Sequence, residues 1–146
     1  MRVGLGFDVH PFAEGRRLVL GGVEIPHPRG LAGHSDADVV VHALVDAVLG
    51  AAALGDIGQH FPDSDPRWRD ADSLEFLRDA VRRLADAGYV VENADVTVVA
   101  QAPRLAPHVP RMRARLAPVL RVAPDAVSVK ATTAEGLGAL GRGEGI

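Results

Sequence analysis

The stretch His34–Asp46, HSDADVVVHALVD, limits the possible folds more than any other, because it commits the chain to an amphipathic helix with reactive groups on one face. Val39, Val40, Leu44, Val48 and Leu49 recur at helical spacing, which predicts a helix from about Asp36 to Ala52 with a buried apolar stripe. Ser35, followed three residues later by Asp38, is a capping-box-like start. Asp38, His42 and Asp46 stand at i, i+4 and i+8, so they share a face with the imidazole between two carboxylates. That arrangement suits a metal ligand whose second nitrogen is fixed by a carboxylate. It equally suits a half-buried histidine bonded to Asp46.

The N-terminal segment bears on that choice. In Arg2–His10 the apolar Val3, Leu5, Phe7 and Val9 alternate with Arg2, Gly4, Gly6, Asp8 and His10. Period two predicts a strand whose apolar set enters the core while Asp8 and His10 point together from the other face. Two ligands at i and i+2, joined by His42 from the helix, make a set of two histidines and one aspartate with an open fourth position, as zinc uses to bind a substrate oxygen. A strand end whose polar residues face water is the plainer alternative. The chain has no cysteine, so disulfides and thiolate sites are excluded and any zinc is held by nitrogen and oxygen.

At 146 residues and 47% hydrophobic, the chain can build one core, which predicts a single domain over residues 1–146. The net charge of −3 and the lack of a dense Lys/Arg run argue against nucleic acid as a partner. No apolar run reaches bilayer length and the N-terminus reads as a strand, so no membrane partner is expected and the protein is expected in the cytoplasm.

Leu18–Leu20 and Val23–Ile25 read as a hairpin around Gly21-Gly22. Gly33-His34-Ser35 places a histidine and a hydroxyl at a helix N-terminus, a position for an anion as well as for ordinary capping. Gly55–Gly58 breaks the helix, and Phe61–Pro66 is a loop rich in Asp and Pro, suited to metal or sugar hydroxyls or to self-bonded turns. Ser73 to Ala87 reads as a helix capped by Asp72 and Glu75, with Leu74, Leu77, Val81 and Leu84 buried. Tyr89–Val91 and Asp95–Ala100 read as strands, Pro107 to about Leu120 as a helix, and Val127–Ala131 as a final strand. Thr132-Thr133-Ala134-Glu135 follows at once, suited to phosphate and its metal or to a loop capping itself. The glycines from Gly136 to Gly145, around Arg142 and Glu144, fit either a diphosphate wrap or a tightly packed segment.

Taken together, F-D-V-H-x-F at 7–12, G-G-V-x-I-P at 21–26, G-H-S-D-A-D-V-x-x-H-A at 33–43, G-A-A-A-L-G-D-I-G at 50–58, F-P-D-S-D-P at 61–66, A-Q-A-P at 100–103, V-K-A-T-T-x-E at 129–135 and G-R-G-E-G-I at 141–146 resemble the 2-C-methyl-D-erythritol 2,4-cyclodiphosphate synthases. The resemblance runs in order through nearly the whole chain. It implies an α+β protomer, a mixed sheet with helices on one face, assembled as a homotrimer with sites between subunits. It implies conversion of 4-diphosphocytidyl-2-C-methyl-D-erythritol 2-phosphate into the cyclic diphosphate and CMP.

By the same resemblance, zinc, one per subunit, is held by Asp8, His10 and His42, while Glu135 helps hold magnesium or manganese bridging the diphosphate. His34 and Thr133 stabilise the transition state, and Ser35 with Asp56, Ile57 and Gly58 receives the methylerythritol part. Phe61, Pro62, Asp63, Ser64 and Asp65, then Ala100, Gln101, Ala102, Pro103, Arg104, Leu105 and Ala106, then Thr132, Thr133, Ala134 and Glu135 complete the pocket and hold cytidine, with Ala139 and Arg142 nearby. Arg142 and Glu144 are expected at the trimer axis, where an isoprenoid diphosphate or another anion could bind.

Three departures accompany the likeness. Arg104 replaces a common lysine, keeping the charge but changing donor geometry. Ala139 stands where an aromatic is usual. The sequence stops at Ile146, where relatives continue into another short strand. The competing classes are a metal or nucleotide binder without turnover and a metal-dependent phosphohydrolase using water.

Overall fold

The computed structural model describes residues 1–146. A helix, α1, runs Val39–Ala51 and packs against α3, Ser73–Asp86, with α4, Val109–Leu120, on the far side of α3. Their apolar stripes join one contiguous core that includes Val41, Val45, Leu49, Leu74, Leu77, Met112 and Leu116. Each such side chain contributes about 1.5–3 kcal/mol on full burial.

The strands are short. β1 (Phe12–Ala13) pairs antiparallel with β4 (Gly30–Leu31), β2 (Leu18–Leu20) pairs antiparallel with β3 (Val23–Ile25), and β5 (Ala94–Val99) pairs parallel with β6 (Val127–Thr132). In place of one mixed sheet there are therefore three two-stranded sheets, within the expected α+β class. Short helices α2 (Ile57–His60) and α5 (Gly138–Gly141) complete the chain. No helix is long and apolar enough to cross a membrane.

The hairpin forms as read, with Gly21 and Gly22 both at positive φ (59° and 71°), the condition of a two-residue primed turn. The helix start differs. Asp38, not Ser35, caps α1, because its carboxylate accepts the Val41 N–H, and the helix therefore begins at Val39. Tyr89–Val91 forms no strand; Gly88 at φ 82° ends the α3 turn and the chain runs unpaired to Ala94. Asp72 caps α3, and Glu75 pairs with Arg78 instead of closing a capping box.

The largest correction concerns residues 1–10. They are extended but hydrogen-bond as no strand of a sheet until His10, and their faces are reversed from the expectation. Val3, Leu5 and Phe7 are 87%, 91% and 80% exposed, while Gly4, Gly6, Asp8 and His10 turn inward. The reason is steric: a Cβ at Gly4 would lie 1.8 Å from the Ala47 carbonyl oxygen, and one at Gly6 1.8 Å from that of Ala43. Only glycine lets this backbone press onto α1. A cleft of about 330 Å³ separates segment 4–9 from β5, with Val40, Ala43 and Leu44 of α1 among its walls.

Candidate metal centre

The same inward face that seats Gly4 and Gly6 on α1 carries Asp8 and His10 up to His42, and their ligand atoms converge. Asp8 Oδ2 is 2.9 Å from His10 Nε2 and 3.1 Å from His42 Nδ1, and the two imidazole nitrogens are 3.2 Å apart. The His42 side chain is 11% exposed and those of His10 and Asp8 are 19% and 29%, so the group is sheltered yet open on one side.

The donor set suits a cation. A carbonyl only accepts, so His10 Nδ1, 2.5 Å from Ala32 O, carries a proton and leaves Nε2 bare toward the cluster. A carboxylate oxygen and imidazole nitrogens at mutual distances near 3 Å match a tetrahedral zinc ion, whose ligand atoms at about 2.0–2.2 Å lie about 3.3 Å from one another. Without a cation, protons serve instead. Burial would raise the Asp8 carboxyl, but its hydrogen bonds to His10 and His42 prevail and hold it well below the ordinary range. Contact with Asp8 raises His10 above its usual value, against burial.

The flanking carboxylates of α1 do not touch His42. Asp38 is fully buried on the N–H groups of Gly21 (2.9 Å), Gly22 (2.6 Å) and Val41 (3.1 Å), which fastens the hairpin to the helix start. Asp46 accepts the Ile57 N–H at 2.8 Å and so fixes α2. The second nitrogen of His42 faces two buried hydroxyls instead, Ser73 Oγ at 2.9 Å and Ser35 Oγ at 3.1 Å. In the sequence Ser73 reads as the first residue of a helix and nothing more. Its spacing from His42 is tertiary, and only the adjacent Asp72 cap marked the position.

Other expected residues gather beside the cluster. His34 Nε2 donates to the Asp65 carbonyl at 3.2 Å, which joins the 61–65 loop to the α1 entry, and the charge of Asp63 reaches His10. Pro62, Asp63 and Ser64 are exposed, whereas Phe61 is 7% exposed and stacks on Phe76, a core residue rather than an open wall. Asp56 caps α2 and is exposed with Gly58.

A second group forms at the ends of the parallel pair, where Ala100 N–H donates to Thr132 O at 2.9 Å and brings segment 100–106 beside 132–135. Ala100 and Leu105 are buried; Gln101, Ala102, Arg104 and Ala106 are exposed and Pro103 is half-buried. Thr133 Oγ1 donates to Glu135 at 2.9 Å and accepts the Glu135 N–H at 3.2 Å, and Glu135 takes a left-handed φ of 51°. Glu135 is exposed and is not part of the Asp8–His10–His42 convergence. Ala139 is exposed on α5. Arg142 bonds Glu144 of its own chain at 2.6 Å; two residues apart on one turn, the two charges meet locally.

The glycine-rich tail has a structural task that its composition left open. Residues 144–146 pair antiparallel with 10–12, through Ile146 N–H to His10 O at 3.1 Å, His10 N–H to Ile146 O at 3.0 Å and Phe12 N–H to Glu144 O at 2.8 Å. A Cβ on Gly145 would lie 2.3 Å from the His10 carbonyl oxygen, so glycine is needed for the tail to brace the segment that carries Asp8 and His10.

The YgbB family model matches residues 1–146. The 2-C-methyl-D-erythritol 2,4-cyclodiphosphate synthase of Moorella thermoacetica is 62% identical over 146 residues, 100% of this chain and 90% of that protein. The bifunctional IspDF of Campylobacter jejuni aligns with TM-score 0.94 at 45% identity, over 99% of this chain and 39% of that longer one. The CDP complex of Plasmodium falciparum IspF aligns with TM-score 0.85 at 33% identity, over 99% of this chain and 88% of that one. The chain therefore belongs to the YgbB family, among relatives named as 2-C-methyl-D-erythritol 2,4-cyclodiphosphate synthases.

Proposed function

We propose that this chain is a cyclising phosphorus–oxygen lyase that converts 4-diphosphocytidyl-2-C-methyl-D-erythritol 2-phosphate into 2-C-methyl-D-erythritol 2,4-cyclodiphosphate and CMP, in the non-mevalonate route to isoprenoid precursors. The observation that carries the reading is the convergence of Asp8, His10 and His42 beside His34 and Ser35, in a chain 62% identical along its length to a relative of that name.

In the reaction an oxygen of the 2-phosphate bonds to the phosphorus nearer the methylerythritol. The bond from that phosphorus to the bridging oxygen breaks, and CMP leaves with the electron pair. No water enters and no protein nucleophile is needed, since a phosphate monoester is already anionic near neutral pH. The protein's work is to align two anions and offset their charge.

Zinc held by Asp8, His10 and His42, and magnesium or manganese held by Glu135, supply Lewis-acid charge neutralisation when bound. His34 and Thr133 stabilise the transition state of the transferring phosphoryl, each releasing the intrachain bond that it makes here, to the Asp65 carbonyl and to Glu135. Ser35, Asp56, Ile57 and Gly58 receive the methylerythritol part, with the 61–65 loop as its wall. Segments 100–106 and 132–135, already joined by one backbone bond, hold the cytidylyl group; the CDP complex of the Plasmodium falciparum relative supports a cytidine diphosphate as the ligand class.

The two groups of site residues share no hydrogen bond within the chain, and the exposed Val3, Leu5 and Phe7 call for cover. Both features support an assembly of protomers, a homotrimer by the family resemblance, in which one subunit's metal centre meets another's cytidine segments. A phosphorus NMR time course on the cytidylyl substrate with zinc and magnesium tests the activity. Appearance of CMP and two coupled ring phosphorus signals is expected; release of inorganic phosphate would indicate a phosphohydrolase, and an unchanged spectrum a binder.

A further inference from the structure

We infer that Asp36 and Ser73 form a hydrogen-bond chain that keeps a proton on His42 Nε2 and so aims the Nδ1 lone pair at Asp8 and His10. The inference rests on the metal reading above for its consequence, and on hydrogen counting for its logic.

Ser73, the first residue of α3, is fully buried, and Asp36 grips it twice. Its N–H donates to Asp36 Oδ2 at 3.1 Å, and its hydroxyl donates to Asp36 Oδ1. A serine has one hydroxyl hydrogen. With that hydrogen on Asp36, Ser73 Oγ offers only lone pairs to its other neighbours. His42 Nε2, 2.9 Å away, must then be the donor.

Ser35 closes the count. Its Oγ accepts the Ala37 N–H at 3.2 Å and lies 3.1 Å from His42 Nε2 and 3.2 Å from Ser73 Oγ; because Nε2 carries the hydrogen that Ser73 requires, the Ser35 hydrogen goes to the remaining lone pair on Ser73. Every hydrogen in the group then has an acceptor and no two meet. The result mirrors His10, where the Ala32 carbonyl holds the proton on Nδ1 and bares Nε2. The two histidines therefore use opposite nitrogens, and each is fixed by a group behind it. Asp36, one hydroxyl removed from the ring, also makes the imidazole a stronger donor to a cation. Ser73 and Asp36 are positioning residues; neither is among the three converging ligands.

Zinc titration against a chromophoric chelator, on metal-stripped protein, gives the first readout. Ser73→Ala and Asp36→Asn should each weaken zinc about 10–100-fold, the usual range for groups that orient a ligand, and Ser73→Thr, which keeps the hydroxyl, should recover most of it. Nitrogen-15 NMR of the imidazoles gives the second. In the wild type, His42 Nε2 should stay protonated with and without zinc, and zinc should attach through Nδ1 of His42 and Nε2 of His10.

A bare Nε2 on His42 in wild-type protein would overturn the proton chain without any variant having to fold. Wild-type zinc affinity in both folded Ser73→Ala and Asp36→Asn would overturn the positioning role. Wild-type protein that takes up no zinc but keeps the Nε2 proton would sink the metal reading alone.

Discussion

Asp38 combines complete burial with three backbone N–H partners, two from the Gly21-Gly22 turn and one from the first turn of α1. Burial raises its carboxyl from the ordinary 3.8 to about 6, with the nearby Asp36 charge acting in the same direction and the N–H groups against it. For an acid whose folded pKa exceeds its unfolded one, the native state holds the proton longer. Its stabilising contribution is complete below 3.8 and is lost as pH rises to about 6. Asp38→Asn should lower stability by about 2–4 kcal/mol, because the amide NH₂ is turned against an N–H that loses its acceptor. Urea unfolding of zinc-free protein through that pH window should show a decline in the wild type that is weaker in the variant. Parallel pH profiles would mean that Asp38 does not titrate there.

At the scale of elements, the decisive contact is between the N-terminal segment and α1. Gly4 and Gly6 let the backbone lie against the carbonyls of Ala47 and Ala43, and the same alternation then delivers Asp8 and His10 to His42 on the next turn. A side chain at either glycine would have to displace the strand from the helix. Gly6→Val should therefore reduce zinc affinity by at least about 10²-fold, because two of the three converging side chains of the proposed centre ride on the displaced segment. The packing of α1 on α3 does not involve that contact, so far-ultraviolet circular dichroism should be nearly unchanged. Zinc uptake at wild-type strength, measured by equilibrium dialysis, would show that the segment finds another seat on the helix.

For the whole molecule, exposed Val3, Leu5 and Phe7 lie along one edge, with Leu137 also 75% exposed. Single exposed apolar side chains are ordinary, but four in alternation on one extended segment, with Val9 as the fourth, form an edge that water does not favour. If this edge is covered by a second subunit, as the proposed trimer requires, Phe7→Glu should weaken assembly and lower turnover together while leaving zinc uptake in place, as followed by sedimentation and metal analysis. If sites form between subunits, mixing His42→Ala chains with Glu135→Ala chains should restore part of the activity, because some interfaces combine two intact halves. No recovery after verified subunit exchange would place the complete site within one chain.

The sequence by itself determined the local order and the chemistry available. The α1 stripe, the Gly21-Gly22 hairpin and the β5 and β6 runs follow from short-range periodicity and turn residues, and Asp8, His10 and His42 from alternation, helical spacing and family motifs. What tertiary structure decided was which face each element turned inward and which groups stood behind the ligands. Alternation alone put Val3, Leu5 and Phe7 in the core; the close approach of two glycines to helix carbonyls reversed the segment. Helical spacing placed Asp38 and Asp46 beside His42, yet the hairpin and α2 claimed them, and Ser73 took the imidazole from a helix thirty-one residues away. Periodicity describes neighbours along the chain, whereas a buried hydrogen bond is settled by whichever donor and acceptor the packed backbones bring within about 3 Å.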